Sequence, residues 1–100
     1  MFEFDVKNNA GEVDVNLKGR LDATVAPDLH AEMAKLQGND IKNVVFDVSE
    51  LEYIASAGLR VIIFAKQKLG TDTKIQMKGV NDDIKEVIEM TGCDNFIEII

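Results

Sequence analysis

Among the residues of this chain that could do chemistry, Ser56 has the most suggestive setting, within Ala55-Ser56-Ala57-Gly58 between an apolar strand and an amphipathic helix. A serine there can cap the helix, act as a nucleophile, or accept a phosphate. The nucleophile fails on its partners. A nucleophile elbow, G-x-S-x-G, needs glycine where Ile54 stands, and the single histidine, His30, lies within a predicted helix with no evident route to Ser56. A carrier serine bearing a prosthetic arm belongs on a helical bundle, whereas this chain has at least four strand-like segments. A phosphate remains chemically reasonable. At the first turn of a helix it adds roughly one and a half to two negative charges where the helix dipole and free backbone N–H groups tolerate them. The site then reads as a substrate for a partner's chemistry, and the chain as no enzyme.

Other candidate groups are Asp22, Asp47 and Arg60. Asp47 follows Val44-Val45-Phe46, at what reads as the carboxyl end of a parallel strand, where alternating α/β folds place their functional edge. It is equally suited to a turn, and Asp22, ahead of Ala23-Thr24, to capping the first helix. If both carboxylates flank Ser56 they form a polar edge around its hydroxyl. Arg60, one turn beyond Ser56, can reach a phosphate or an acidic partner, or belong with Lys66 and Lys68 to a wetted face. His30 reads as a solvated surface residue and Cys93 as a small packed side chain. No second Cys or His stands at ligand spacing from Cys93, so no metal is expected, and P-loop and dinucleotide patterns are absent, so no cofactor is.

The elements that position these groups follow from hydrophobic rhythm. Phe2, Phe4 and Val6 alternate with polar residues, as do Val13, Val15 and Leu17, and Asn8-Asn9-Ala10-Gly11 between them signals an antiparallel hairpin. A helix from about Thr24 to Leu36 carries the stripe Leu29, Met33 and Leu36, with Pro27 in its first turn and Gly38 at its end. Val44-Val45-Phe46, closed by Asp47, reads as a short central strand covered on both faces. A second helix spans Ala57 to Leu69, then come a strand at Lys74 to Met77, a third helix from Asp82 to Met90 and a terminal strand over Phe96 to Ile100. The order β-β-α-β-α-β-α-β predicts an α/β domain: a mixed sheet with an N-terminal hairpin and right-handed βαβ crossovers.

With 100 residues, of which 46% are hydrophobic, the chain suits one domain over residues 1–100. A formal charge of -7 opposes binding to nucleic acid or anionic membrane. No apolar run is long enough to span a bilayer, and Met-Phe-Glu-Phe-Asp lacks the basic start of a secretory signal, so a cytoplasmic location is expected.

The run from Asp47 to Leu59, containing Asp47-Val48-Ser49 and Ile54-Ala55-Ser56-Ala57-Gly58-Leu59, resembles the signature of the STAS domain, the fold of bacterial anti-sigma factor antagonists. Gly19-Arg20-Leu21-Asp22-Ala23 is similar to that family's G-x-L-D-A segment, and Gly79-Val80, Ile84, Val87-Ile88 and Thr91-Gly92 to its third helix. The resemblance covers essentially the whole chain. It implies that Ser56 is phosphorylated by a cognate anti-sigma factor, an ATP-dependent serine kinase, and that only the unphosphorylated antagonist binds it and frees the sigma factor. The implied partner-binding edge is Asp22, Asp47, Ala55, Ser56, Ala57, Gly58 and Arg60, in which Ala57 and Gly58 admit the partner's backbone. ATP is bound by the partner, and a phosphatase resets the switch. One departure is Ala55, where many relatives carry an acidic residue. The alternative is a non-switching STAS interaction or ligand-sensing module in a signalling assembly, with Ser56 only a cap.

Overall fold

A computed structural model describes residues 2–36, 41–70 and 73–100. The strands β1 (Glu3–Asn9) and β2 (Glu12–Leu21) form the expected antiparallel hairpin. Its two loop residues, Ala10 (φ 51°) and Gly11 (φ 95°), both take positive φ, the backbone that a tight two-residue loop between right-twisted strands requires. Then follow α1 (Ala26–Ala34), β3 (Asn43–Ile54), α2 (Ser56–Leu69), β4 (Lys74–Lys78), α3 (Asp82–Met90), a 3-10 turn at Cys93–Asn95, and β5 (Glu98–Ile99). The sheet order is β1-β2-β3-β4-β5, with β2 through β5 parallel. Each parallel step needs a crossover, and the three helices supply them. The predicted element order is therefore the observed one.

Boundaries moved where local polar groups compete with regular structure. Helix α1 starts at Ala26, two residues later than Thr24, because the Asp22 carbonyl accepts from the N–H groups of Val25 (3.3 Å) and Ala26 (3.0 Å) and holds the intervening residues in a turn. The helix ends at Ala34, and Gly38 lies outside the described residues. The terminal strand shrinks to Glu98–Ile99, since the N–H groups of Phe96 (2.9 Å) and Ile97 (3.0 Å) donate back to the Cys93 carbonyl of the 3-10 turn.

The larger correction concerns β3. It is a strand of 12 residues running through Asp47 to Ile54. Asp47-Val48-Ser49 has the composition of a turn, yet it forms a bulge: Asn16 pairs with Asp47 and Lys18 with Glu50, so β3 carries one residue more than β2 over that stretch. The Asp47 carboxylate stabilises the bulge by accepting from the Ser49 N–H (3.1 Å) and hydroxyl (2.7 Å).

Nor is β3 covered on both faces. Val13, Val15 and Leu17 of β2, Val44, Phe46 and Val48 of β3, and Ile75 and Met77 of β4 are buried, beneath Leu29 and Met33 of α1, Leu59 and Ile62 of α2, and Ile84 and Ile88 of α3. The residues between them, Asp14, Asn16, Lys18, Asp47 and Lys78, are exposed or half-buried, and Val45 is half-buried between the paired Asp14 and Gln76. Strict alternation of this kind leaves a polar second face on the sheet.

Candidate functional site

The site is built where β2 and β3 end together. Leu21 pairs with Ile54, and the Leu21 carbonyl then accepts from the Ala55 N–H at 2.8 Å, which sets Asp22 and the start of α2 at one end of the sheet. Ala55, with extended backbone (φ -88°, ψ 165°), occupies the capping position, so Ser56 is the first helical residue and not the cap. An alanine cannot cap with its side chain, and no acidic residue sits in the first turn of α2. By contrast, α3 is capped by Asn81, whose Oδ1 accepts from the Ile84 N–H at 2.8 Å, and has Asp82 and Asp83 in its first turn. The Ser56 side chain is exposed, and its hydroxyl makes no hydrogen bond to the described residues. It is a free nucleophilic oxygen at the positive end of a helix dipole that no side chain offsets.

Gly58 has a second task beside the one its neighbours suggest. It is buried, and a Cβ there would lie 2.6 Å from Leu21 Cγ, 2.9 Å from Leu21 Cδ2 and 3.1 Å from Ile54 Cγ1. Glycine lets α2 lie hard against the ends of β2 and β3. Gly58→Ala is expected to destabilise the domain by about 1–2 kcal/mol, the cost of overpacking less the helix preference of alanine. Urea unfolding of the two proteins measures it. Ala57, by contrast, is half-buried and lines a surface groove between α1 and α2.

Asp22 lies at the Ser56 end of the sheet and Asp47 does not. The Asp22 carboxylate accepts from the Thr24 hydroxyl, the Thr24 N–H (3.0 Å) and the Val25 N–H (3.3 Å), so it holds the turn into α1. The Thr24 hydroxyl above all, helped by those amides and the charge of Arg20, keeps its pKa below the ordinary carboxylate value. Arg20 lies over the ring of its cross-strand partner Tyr53, 4.4 Å from the centroid, and ties the two strand ends together. Asp47 lies opposite Asn16, five steps along β2 from the Leu21–Ile54 pair and so roughly 17 Å away at about 3.3 Å per residue, on the polar face beside Lys78 (4.0 Å). The expectation that both carboxylates flank Ser56 is corrected: the long β3 carries Asp47 away.

The Asp47 pKa is also lowered, first by the Ser49 hydroxyl, then by the Ser49 amide and Lys78. A carboxylate whose folded pKa is depressed stabilises the fold above its unfolded value, near 3.9, and that contribution is lost as pH falls through the folded value. Stability should therefore decline below about pH 4. Asp47→Asn should be less stable at pH 5 but lose less on acidification, as denaturant midpoints at pH 5, 4 and 3 would show.

Arg60 is exposed one turn beyond Ser56 and forms no ion pair with the described residues. It stands on a ridge between two grooves. One, of about 460 Å³, runs from Ser56 past Leu59 and Ile63 to Thr91 and the half-buried Cys93. The other, of about 440 Å³, lies between α1 and α2, where the exposed His30 ring stacks on Phe64 with centroids 4.1 Å apart. That stack explains a histidine that sequence had left simply at the surface. No group of three or more His, Cys, Asp or Glu able to hold a metal occurs among the described residues.

Comparison with known proteins agrees with this geometry. The family model described as "Mlab, STAS domain" matches residues 4–99. The chain is 34% identical over 77 residues to BtrV of Bordetella bronchiseptica, covering 76% of this chain and 66% of that protein. It is 29% identical to the anti-sigma-B factor antagonist of Bacillus subtilis, covering 95% and 87%. Among solved structures, an anti-sigma factor antagonist from Mycobacterium paratuberculosis superposes with a TM-score of 0.85 at 23% identity, covering 99% of this chain and 85% of that one. SpoIIAA in its unphosphorylated form gives 0.76 at 12% identity, covering 100% and 87%. With a sheet of this order, a serine-bearing strand-to-helix junction and a family match over nearly its whole length, the chain belongs to the STAS family.

Proposed function

We propose that this domain is an anti-sigma factor antagonist. It binds an anti-sigma factor serine kinase through the edge made by Asp22, Ala55, Ser56, Ala57 and Arg60, and phosphorylation of Ser56 ends that binding. The observation that carries the reading is the exposed, unpartnered Ser56 hydroxyl at the first position of the uncapped α2. In the modification step Ser56 Oγ attacks the γ-phosphorus of ATP held by the kinase, the bond to the ADP oxygen breaks, and the hydroxyl proton passes to a base on the kinase. The domain supplies the acceptor and no catalytic group.

The added charge meets a helix start lacking acidic side chains, so the fold tolerates it while the docking surface changes. Two further observations support the reading: Bacillus subtilis and Listeria relatives are named anti-sigma-B factor antagonists, and SpoIIAA, similar in fold, has been solved in a phosphorylated form. Gly58 contributes indirectly, by letting α2 seat against Leu21. A phosphatase would restore the hydroxyl, and the ATP requirement of the kinase places the exchange in the cytoplasm. A non-switching interaction module is the second reading, favoured by Ala55, which offers a kinase no carboxylate next to the serine. Incubation with a candidate anti-sigma factor serine kinase and ATP decides between them. The switch requires ATP-dependent loss of the complex and a phosphate on Ser56; a complex indifferent to ATP and to Ser56→Ala supports the module.

A further inference from the structure

We propose that the groove between the end of β3 and α3 docks a basic, amphipathic segment of a protein partner, independently of Ser56. Asp83, Glu86, Val87 and Met90 recur at the spacing of one helix face, and that stripe of α3 faces Glu52 and Tyr53 across a groove of about 370 Å³. The neighbouring stripe, Ile84 and Ile88, is buried in the core, with Ile84 at the groove's floor. Met90 is 78% exposed and Tyr53 40%, while Val87 is half-buried, so the groove presents an apolar strip that the fold leaves uncovered. Methionine is flexible and polarisable, suited to moulding around an incoming side chain.

Charge selects the occupant. Glu52, Asp83 and Glu86 are exposed and form no ion pair with the described residues. Asp83 has work of its own at the N-terminus of α3, but Glu52 and Glu86 do not. Of the cations nearby, Lys85 makes no ion pair with them, and Arg20 is held over the Tyr53 ring. An apolar strip between unpaired carboxylates complements a segment in which lysines or arginines flank a bulky apolar side chain. A second copy of this chain, with a formal charge of -7 and the same acidic rim, is the poorer fit.

The test is a titration of the isotope-labelled protein with a short acetylated peptide of alternating lysine and leucine, followed by amide chemical shifts. The expected shifts concentrate on residues 52–54 and 83–90. Glu52→Lys with Glu86→Lys should weaken binding at least tenfold, and Met90→Ser about threefold. An equal charge change on the polar sheet face, Asp5→Lys with Asp14→Lys, should leave it within twofold. Shifts spread over the whole acidic surface, equal losses from the two charge-reversal pairs, or sedimentation showing a dimer through this face would overturn the proposal. Ser56→Ala, which changes no charge, should bind the peptide as the parent does, so this groove and the serine switch succeed or fail separately.

Discussion

Gly79→Ala is expected to cost about 3 kcal/mol of stability. Gly79 takes φ +75°, a conformation that costs an L residue about 1–2 kcal/mol. A Cβ there would also lie 2.6 Å from Ser49 Cβ, 2.8 Å from Ser49 Cα and 2.9 Å from Ser49 N. Those last atoms are backbone of the β3 bulge that Asp47 holds, so they cannot swing aside as the tip of a side chain would. Overpacking adds roughly 1–3 kcal/mol. Gly92 is the control. It has φ +75° with only Asn95 Nδ2 within 4 Å, at 3.9 Å, so Gly92→Ala should cost the conformational part alone. A loss of under about 1 kcal/mol at Gly79 in urea unfolding would show that the bulge is not rigid.

Ser56→Asp should weaken the complex with the kinase by about ten- to a hundredfold, or roughly 1.4–2.8 kcal/mol, whereas Ser56→Ala should bind nearly as the parent does. The same aspartate stands in the first turn of α2, whose dipole has no acidic side chain beside it, and should raise fold stability by about 0.3–1 kcal/mol. Opposite signs are the useful feature. Weaker binding in a protein that unfolds at equal or higher denaturant cannot be blamed on damage to the fold. Calorimetric affinity and urea midpoints on one preparation give both numbers. A Ser56→Asp protein that binds as the parent does would remove charge as the basis of control.

Some elements were legible because their signals are local. The hairpin follows from two alternating runs and a turn, and α3 from the helical spacing of Ile84, Val87 and Ile88, with its observed span Asp82–Met90 as expected. The serine junction was legible too, because small residues between a strand pattern and a helix pattern admit few arrangements. What stayed hidden depends on pairing across the chain. A turn-like Asp47-Val48-Ser49 becomes a bulge only once β2 supplies the register, and its length carries Asp47 away from Ser56. That Gly58 also seats α2 against Leu21, distant in sequence, no local pattern announces. The polar second face of the sheet was visible as alternation in β2, but the apolar run Val44-Val45-Phe46 masked it in β3. Ala55 as cap follows from the Leu21–Ala55 hydrogen bond, which no local pattern announces.

The role of Ser56 is tested most directly by peptide-mapping mass spectrometry after incubation with the cognate kinase and ATP, alongside size-exclusion chromatography of the same mixture. One phosphate on Ser56, absent from Ser56→Ala, with the complex dissolving as the phosphate appears, is the predicted result. An unmodified Ser56, or a complex that persists once Ser56 is phosphorylated, would contradict it.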